Sequence, residues 1–167
     1  NLMLRTLREQ GVKPGAIVYV GTGDTPETLQ AIGAEQLEGV IVVGYPRNDI
    51  NESFGPGNRA YLTAYKAKYN ADPVAPQGMN AYAGFLRLAE ALTAAGSVDP
   101  AKVQAAVAKI DKPDSTYPTG FGTKFDKNYQ NTRAYFTASQ WQGGKMVTVF
   151  PKAAVLQDVT LKPLGRP

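Results

Sequence analysis

The groups best placed to do chemistry sit in one short stretch, AIVYVGTGDTPETLQAIG, residues 16 to 33. An apolar run ends at Gly21-Thr22-Gly23-Asp24, and a helical pattern begins at Thr25-Pro26-Glu27. A turn between a strand and a helix is where open parallel sheets bind ligands, because strand ends and unpaired helix N–H groups meet there. The Asp24 carboxylate suits a base, an ion-pair partner or a helix cap. The hydroxyls of Thr22 and Thr25 suit hydrogen bonding or, with a base, nucleophilic attack. A dinucleotide fingerprint is incomplete: Gly21 and Gly23 fit G-x-G, but Pro26 stands at the third glycine position. A phosphate loop is excluded because no Gly-Lys-Ser/Thr follows. What stands is a ligand-facing role for at least one of Thr22, Gly23 and Asp24, or plain capping by Asp24.

Composition narrows the chemistry further. The 167 residues contain no His and no Cys. The commonest general base, the commonest zinc ligand, thiol nucleophiles and disulfides are therefore all missing. Neither a catalytic nucleophile nor a metal or other cofactor is expected. Net charge is +4, yet Lys and Arg are scattered. The densest basic pair, Lys66 and Lys68, reads as a solvated helix face, so nucleic acid is not an expected partner. No apolar run approaches the ~20 residues of a membrane-spanning helix. A cysteine-free chain leaves the redox compartment open.

The elements that hold the turn alternate at first. NLMLRTLREQG reads as a helix with Leu4 and Leu7 on one face and Gly11 as its stop. It begins without a start Met or a cap cluster, as though continuing a longer protein. Next come the strand AIVYV, a helix over 26–32 with Thr25 as N-cap and Pro26 at its first position, a short loop, and the strand GVIVVGY over 39–45. Strands so continuously apolar are expected to be buried on both faces, as in a doubly wound α/β fold. The polar stretch PRNDINESFGPGN, 46–58, marks a crossover. Helical patterns follow over 58–69, with Tyr61, Tyr65 and Tyr69 four apart, and over 77–95, closed by Gly96. Asp99-Pro100 caps a further helix with Val103, Val107 and Ile110 as its expected buried face. From Pro113 the pattern turns to strands. Asp126-Lys127-Asn128 reads as a turn, and RAYFTASQW and KMVTVF form a hairpin around Gly143-Gly144. Residues 151–167 read as a surface-hugging tail with a weak strand signal at Ala154–Leu156.

In this order the segments resemble the second half of type I periplasmic binding proteins of the branched-chain amino acid (Leu/Ile/Val) class, the receptors of ABC importers. The resemblance covers about residues 1 to 151. It rests on GAIVYVGTGDTPETLQAIGAEQLEGVIVVGYP, on AYLTAYKAKYNADP with its Tyr-x-x-x-Tyr-x-x-x-Tyr-x-x-x-Pro helix exit, on NAYAGFLRLAEALTAAGSVDPAKVQAAV, and on TGFGTKFDKNYQNTRAYFTASQWQGGKMVTVFP.

The resemblance implies a receptor with two doubly wound lobes joined by hinge crossovers, closing on a small molecule. By it, residues 1–46 and 116–150 belong to the C-terminal lobe, 47–115 to the N-terminal lobe, and 151–167 to a tail. The implied partners are a small carboxylate ligand, amino acid or aromatic or aliphatic acid, the permease subunits in the membrane, and an N-terminal half absent from this chain. The implied location is periplasmic or otherwise extracytoplasmic. The family's ammonium-binding acid falls at Thr22, with Asp24 two residues on. A neutral hydroxyl cannot offset a buried ammonium, so either Asp24 takes that role or the ligand is not an α-amino acid. The resemblance also implies cleft positions for Tyr45, Gln77 and Met79. The expectation is a receptor and not an enzyme. Its rivals are the ligand-sensing domain of a regulator with the same fold and a small α/β enzyme using Asp24 as base.

Overall fold

A computed structural model describes residues 2–164 of this chain, so Pro167 at the end of the expected tail and Asn1 at the start of the first helical pattern lie outside the described residues. In chain order the elements are α1 (Leu2–Glu9), β1 (Val18–Val20), α2 (Pro26–Ile32), α3 (Ala34–Leu37), β2 (Ile41–Gly44), α4 (Asn58–Tyr69), α5 (Gln77–Ala95), α6 (Pro100–Val107), β3 (Asp111–Lys112), β4 (Thr123–Lys124), β5 (Thr137–Gln142) and β6 (Lys145–Phe150). They divide into two compact units. The first comprises residues up to Ile50 and those from Phe136 onward, and the second is Asn51–Tyr135.

The first unit is built on a four-stranded sheet in the order β1-β2-β5-β6. β1 and β2 are parallel, whereas β2-β5 and β5-β6 are antiparallel. Directly paired residues share a face. One face carries Ile17, Val40 and Trp141, which pack with Leu4 of α1, Ile32 of α2 and Leu37 of α3 in one buried cluster. α3 occupies part of the expected loop between Gly33 and β2, and its Leu37 is fully buried. The β5-β6 hairpin turns through Gly143 and Gly144, whose φ angles of 57° and 75° suit a tight type I′-like turn.

The opposite face pairs Val18 with Ile41 and Val20 with Val43, and continues through Gln140 on β5. Gln140 is fully buried. Its side-chain amide accepts from the Lys162 backbone N–H at 2.9 Å and donates to the Lys162 carbonyl at 3.0 Å and the Gly39 carbonyl at 3.1 Å. Gln142 donates to the Thr160 carbonyl at 2.7 Å. The tail is thus fastened to β5 by side chains. The strand signal at Ala154–Leu156 is not realised: Lys152–Ala154 forms a 3-10 turn, bonded locally from Ala154 N–H to the Pro151 carbonyl. Over β1 the face is bare. Val18 is 52% exposed and Val20 73%, so the expectation that AIVYV is buried on both faces fails, because no element of the described unit covers it.

The second unit joins α4, α5 and α6 to the short β3-β4 ladder. Helix ends follow the local signals. Asp99 accepts a hydrogen bond from the Lys102 N–H at 3.0 Å, and Gly96 closes α5 in the left-handed region. Tyr61, Tyr65 and Tyr69 line up along α4, and Tyr61 stacks on Tyr82 of α5 with centroids 5.3 Å apart. Val103, Val107 and Ile110 are only half-buried, so the expected apolar face of α6 is incompletely covered. Arg87 holds the unit's centre. Its Nε donates to Thr123 Oγ1 at 2.6 Å, and its guanidinium lies 4.1 Å from the Tyr117 ring centroid. Tyr117 donates to Glu90 at 3.0 Å. These contacts fasten residues 117–123 to α5. The second unit runs on through Tyr135, whereas the resemblance implied a division at 115/116.

Candidate functional site

The Gly21–Asp24 turn leaves the C-terminal end of β1 and is pinned from three directions. Gly21, at φ 67°, donates its N–H to the Val43 carbonyl at 2.8 Å, extending the β1-β2 ladder by one step. Gly23, at φ 88°, has its carbonyl held by the buried indole N–H of Trp141 at 2.9 Å. A Cβ at Gly23 would lie 3.1 Å from the Tyr19 ring, so the glycine permits both the backbone angle and the close approach. Asp24 Oδ2 accepts from Arg47 Nη1 at 2.9 Å.

That ion pair extends into a small network. Arg47 Nε lies 3.7 Å from Asp49 Oδ1, and Asp49 accepts from the Thr148 N–H at 2.7 Å and hydroxyl at 3.0 Å. The side chains of Arg47 and Asp24 are only 19% and 11% exposed. The carboxylate is thus mostly withdrawn from water and matched by a guanidinium. As a free base or an unpaired ammonium partner Asp24 is spoken for. The other nearby acids also serve the scaffold or solvent. Glu38 accepts from the Gly143 N–H, which holds its carboxyl below the usual range. Glu27 is exposed and sits by the Thr25 hydroxyl, which lowers it in the same direction. Thr25 takes the N-cap position of α2, but its side chain caps no backbone N–H of the helix.

Thr22 and Tyr45 are the residues this framework leaves outward. A Cβ at Gly44 would lie 3.7 Å from Gly21 Cα, so the two strand ends run in contact. One residue further on, Thr22 and Tyr45 are both exposed. Tyr45 is fixed through its backbone, since its carbonyl accepts from the Thr137 hydroxyl at 3.1 Å. On the core side of the loop, where its ring meets Gly23, Tyr19 has its hydroxyl raised above the ordinary value by burial, and that oxygen has no hydrogen-bond partner. In the second unit, Gln77 is exposed at the first turn of α5, whereas Met79 is fully buried in that unit's core and its side chain offers no accessible surface.

Sequence patterns did not point to Trp141, Arg47 or Arg87 as organisers. An open cavity of about 860 Å³ lies in the second unit. It is lined by Leu86, Glu90 and Thr93 of α5, Ala106 of α6, Lys112 and Tyr117. Burial, reinforced by the bond to Glu90, pushes the Tyr117 hydroxyl up to about 12, while desolvation lowers the Arg87 guanidinium. No three His, Cys, Asp or Glu side chains among the described residues are grouped to hold a metal ion, and no described helix is long and apolar enough to cross a membrane.

By its likeness to solved structures this chain forms part of a type I periplasmic-binding-protein fold, a mixed α/β class. The sequence matches the family described as periplasmic binding protein over residues 2–145. It is 36% identical over 162 residues to Leu/Ile/Val-binding protein homolog 8 of Brucella abortus, covering 96% of this chain and 40% of that relative. It is 37% identical over 161 residues to Leu/Ile/Val-binding protein homolog 7 of Brucella suis, with the same coverage of 96% and 40%. The leucine-binding protein LivK from Thermotoga maritima superposes with a TM-score of 0.70 at 20% identity, over 94% of this chain and 41% of that structure. This chain belongs to the periplasmic binding protein family, in its Leu/Ile/Val-binding-protein-like branch, and spans about two-fifths of the length of the curated relatives it matches.

Proposed function

We propose that this chain is part of an extracytoplasmic solute receptor of an ABC importer that binds a small carboxylic acid without altering it. One observation carries the reading. The Gly21–Asp24 loop is held by a backbone bond, an indole bond and an ion pair, yet leaves Thr22 exposed beside Tyr45. A loop so fixed needs little ordering when a ligand arrives, which favours binding. Thr22 contributes a hydroxyl, the Gly23 segment its backbone, and Tyr45 a ring and hydroxyl. Asp24 acts through Arg47 to set the loop. In the second unit Gln77 is the group proposed to meet ligand, and Met79 supports the first turn of α5 from within the core. Hinge closure of the receptor's two lobes on the ligand presents a closed form to its permease.

Because Asp24 is already paired, the ligand carries no ammonium group that needs this loop's carboxylate. Acids without an α-ammonium fit that condition best. The test is thermal stabilisation of the full-length protein by matched pairs: leucine against 4-methylpentanoate, and phenylalanine against phenylacetate. A ligand at a hundredfold excess over Kd adds ~2.7 kcal/mol. Stabilisation by the des-amino partner supports the reading in full. Stabilisation by the amino acid alone keeps the receptor and rejects the ligand class, while silence across a broad panel, or turnover of any member, rejects the receptor.

A further inference from the structure

Two segments of the first unit, 21–24 and 43–47, run side by side and are tied at either end. Gly21 N–H bonds to the Val43 carbonyl at 2.8 Å, and Asp24 Oδ2 accepts from Arg47 Nη1 at 2.9 Å. The same Nη1 also lies 3.4 Å from the Asp24 backbone carbonyl. Thr22 and Tyr45, both exposed, fall in the chain between these two ties. The Asp24–Arg47 pair therefore flanks the residues proposed to meet ligand.

Arg47 is itself held in place. Asp49 Oδ1 stands 3.7 Å from its Nε, and Asp49 is fixed in turn by the Thr148 N–H at 2.7 Å and hydroxyl at 3.0 Å. Arg47 Nε is buried and makes no hydrogen bond within the protein. A buried donor left unmet is costly, and a mostly buried ion pair gains little over apolar side chains of the same shape. Stability alone does not account for an arginine here. What Arg47 does supply is a cation on the loop's carboxylate before any ligand arrives.

We propose that Arg47 is a specificity-determining residue. Its guanidinium stands where a ligand's ammonium group would otherwise pair with Asp24, and its removal turns the loop into a seat for an alkylammonium ion. The proposal rests on the reading that ligand meets the loop at Thr22 and Tyr45. With Arg47 present, an incoming ammonium finds Asp24 already paired and a like charge beside it, a repulsive element of the kind that sets selectivity. Without Arg47, the network keeps the carboxylates of Asp24 and Asp49 and loses its guanidinium. A primary ammonium brings the charge and three N–H donors to replace it.

The first experiment needs no transported ligand. Full-length Arg47→Ala protein is melted in methylammonium chloride and in tetramethylammonium chloride, which carries the same charge without N–H donors. At roughly 50 mM, methylammonium is expected to raise the melting temperature by about 2 °C over tetramethylammonium. Neither the wild type nor Arg47→Ala combined with Asp24→Asn is expected to show that difference. The same rise in all of these proteins, or none in Arg47→Ala, overturns the proposal. Should Arg47→Ala fail to fold, Arg47→Met, which keeps an aliphatic stem, takes its place.

The second experiment reads selectivity as the Kd of leucine divided by that of 4-methylpentanoate. Arg47→Ala is expected to lower that ratio about tenfold, and Arg47→Lys, which keeps a cation, to hold it near the wild-type value. A loop that is merely loosened weakens both ligands alike, so an unmoved ratio overturns the proposal. A wild type that prefers leucine rejects the ligand class given under Proposed function, whereas Arg47 keeps its role if the ratio still falls. Where neither ligand binds, methylammonium rescue alone decides.

Discussion

Replacing Trp141 with Phe removes the one donor that holds the Gly23 carbonyl while keeping an aromatic ring in the core. The bond is 2.9 Å long and buried, between residues 118 positions apart. A buried carbonyl left without its donor costs about 1–3 kcal/mol. The smaller ring leaves part of the space among Leu4, Ile17, Leu37 and Val40 unfilled, which adds roughly 1 kcal/mol. The sum is about 2–4 kcal/mol, a sizeable share of the ~5–15 kcal/mol that holds a domain together. Urea titration of the full-length protein measures it as a lowered midpoint at unchanged slope. The loop argument adds a more specific consequence. Freed from its indole anchor, the segment from Gly21 to Thr25 must be ordered when ligand arrives, and a penalty of ~1.4 kcal/mol raises Kd about tenfold. Leu37→Ala is the comparison, since it opens a cavity in the same cluster at a similar cost of ~2–5 kcal/mol without touching the loop. Trp141→Phe should speed amide exchange at residues 21–25 and weaken binding, whereas Leu37→Ala should do neither to the same degree. If both variants weaken ligand equally, or if Trp141→Phe costs less than about 1 kcal/mol, the indole is not what fixes the loop.

Three further outcomes follow from the geometry. Arg47→Ala leaves Asp24 mostly buried without its guanidinium, so a loss of about 2 kcal/mol is expected, below the 3–5 kcal/mol of fully buried pairs because both groups keep some water. A double-mutant cycle with Asp24→Asn should recover at least about 1 kcal/mol of coupling, and additive losses would dissolve the pair. Tyr19→Phe deletes a buried hydroxyl that has no partner, so its denaturation midpoint should be unchanged or raised; a clear loss of stability would reveal a missed acceptor. The Tyr117 hydroxyl is raised on folding, so its contribution is complete below pH 10 and disappears as pH climbs towards about 12; alkaline titration of Tyr117→Phe should lack that part of the decline.

Much of the secondary structure was legible because it is signalled locally. Pro26, the Asp99-Pro100 pair and Gly96 mark helix ends by capping and backbone preference, and α2, α5 and α6 lie where those signals put them, while α4 lies where its tyrosine spacing put it. The Gly143-Gly144 turn likewise announced the last hairpin. The organising contacts were hidden for the opposite reason. Arg87 reads as one more charge on a helix, and nothing near it in sequence points to Thr123, 36 residues on. The Trp141 bond to Gly23 and the Arg47 pair with Asp24 are long-range in the same way. This is also why the unit boundary was displaced: a turn-rich segment looks like a return to the first unit until its side-chain anchors to α5 are known. α3 is four residues long, too short for periodicity to separate it from a loop. The loop itself could be picked out by its glycines and its place after a strand, but the commitment of Asp24 to Arg47 could not.

The amide of Gln140 behaves towards Lys162 as a neighbouring strand's backbone would, offering one donor and one acceptor to the same residue. A truncation after Val159, attractive because no regular element lies beyond it among the described residues, would strip that amide of its Lys162 partners and leave the fully buried Gln140 only the Gly39 carbonyl and Gln142. Anyone trimming this protein for crystallisation should therefore keep the last irregular stretch, and treat it as a side-chain-stitched fifth ribbon of the sheet.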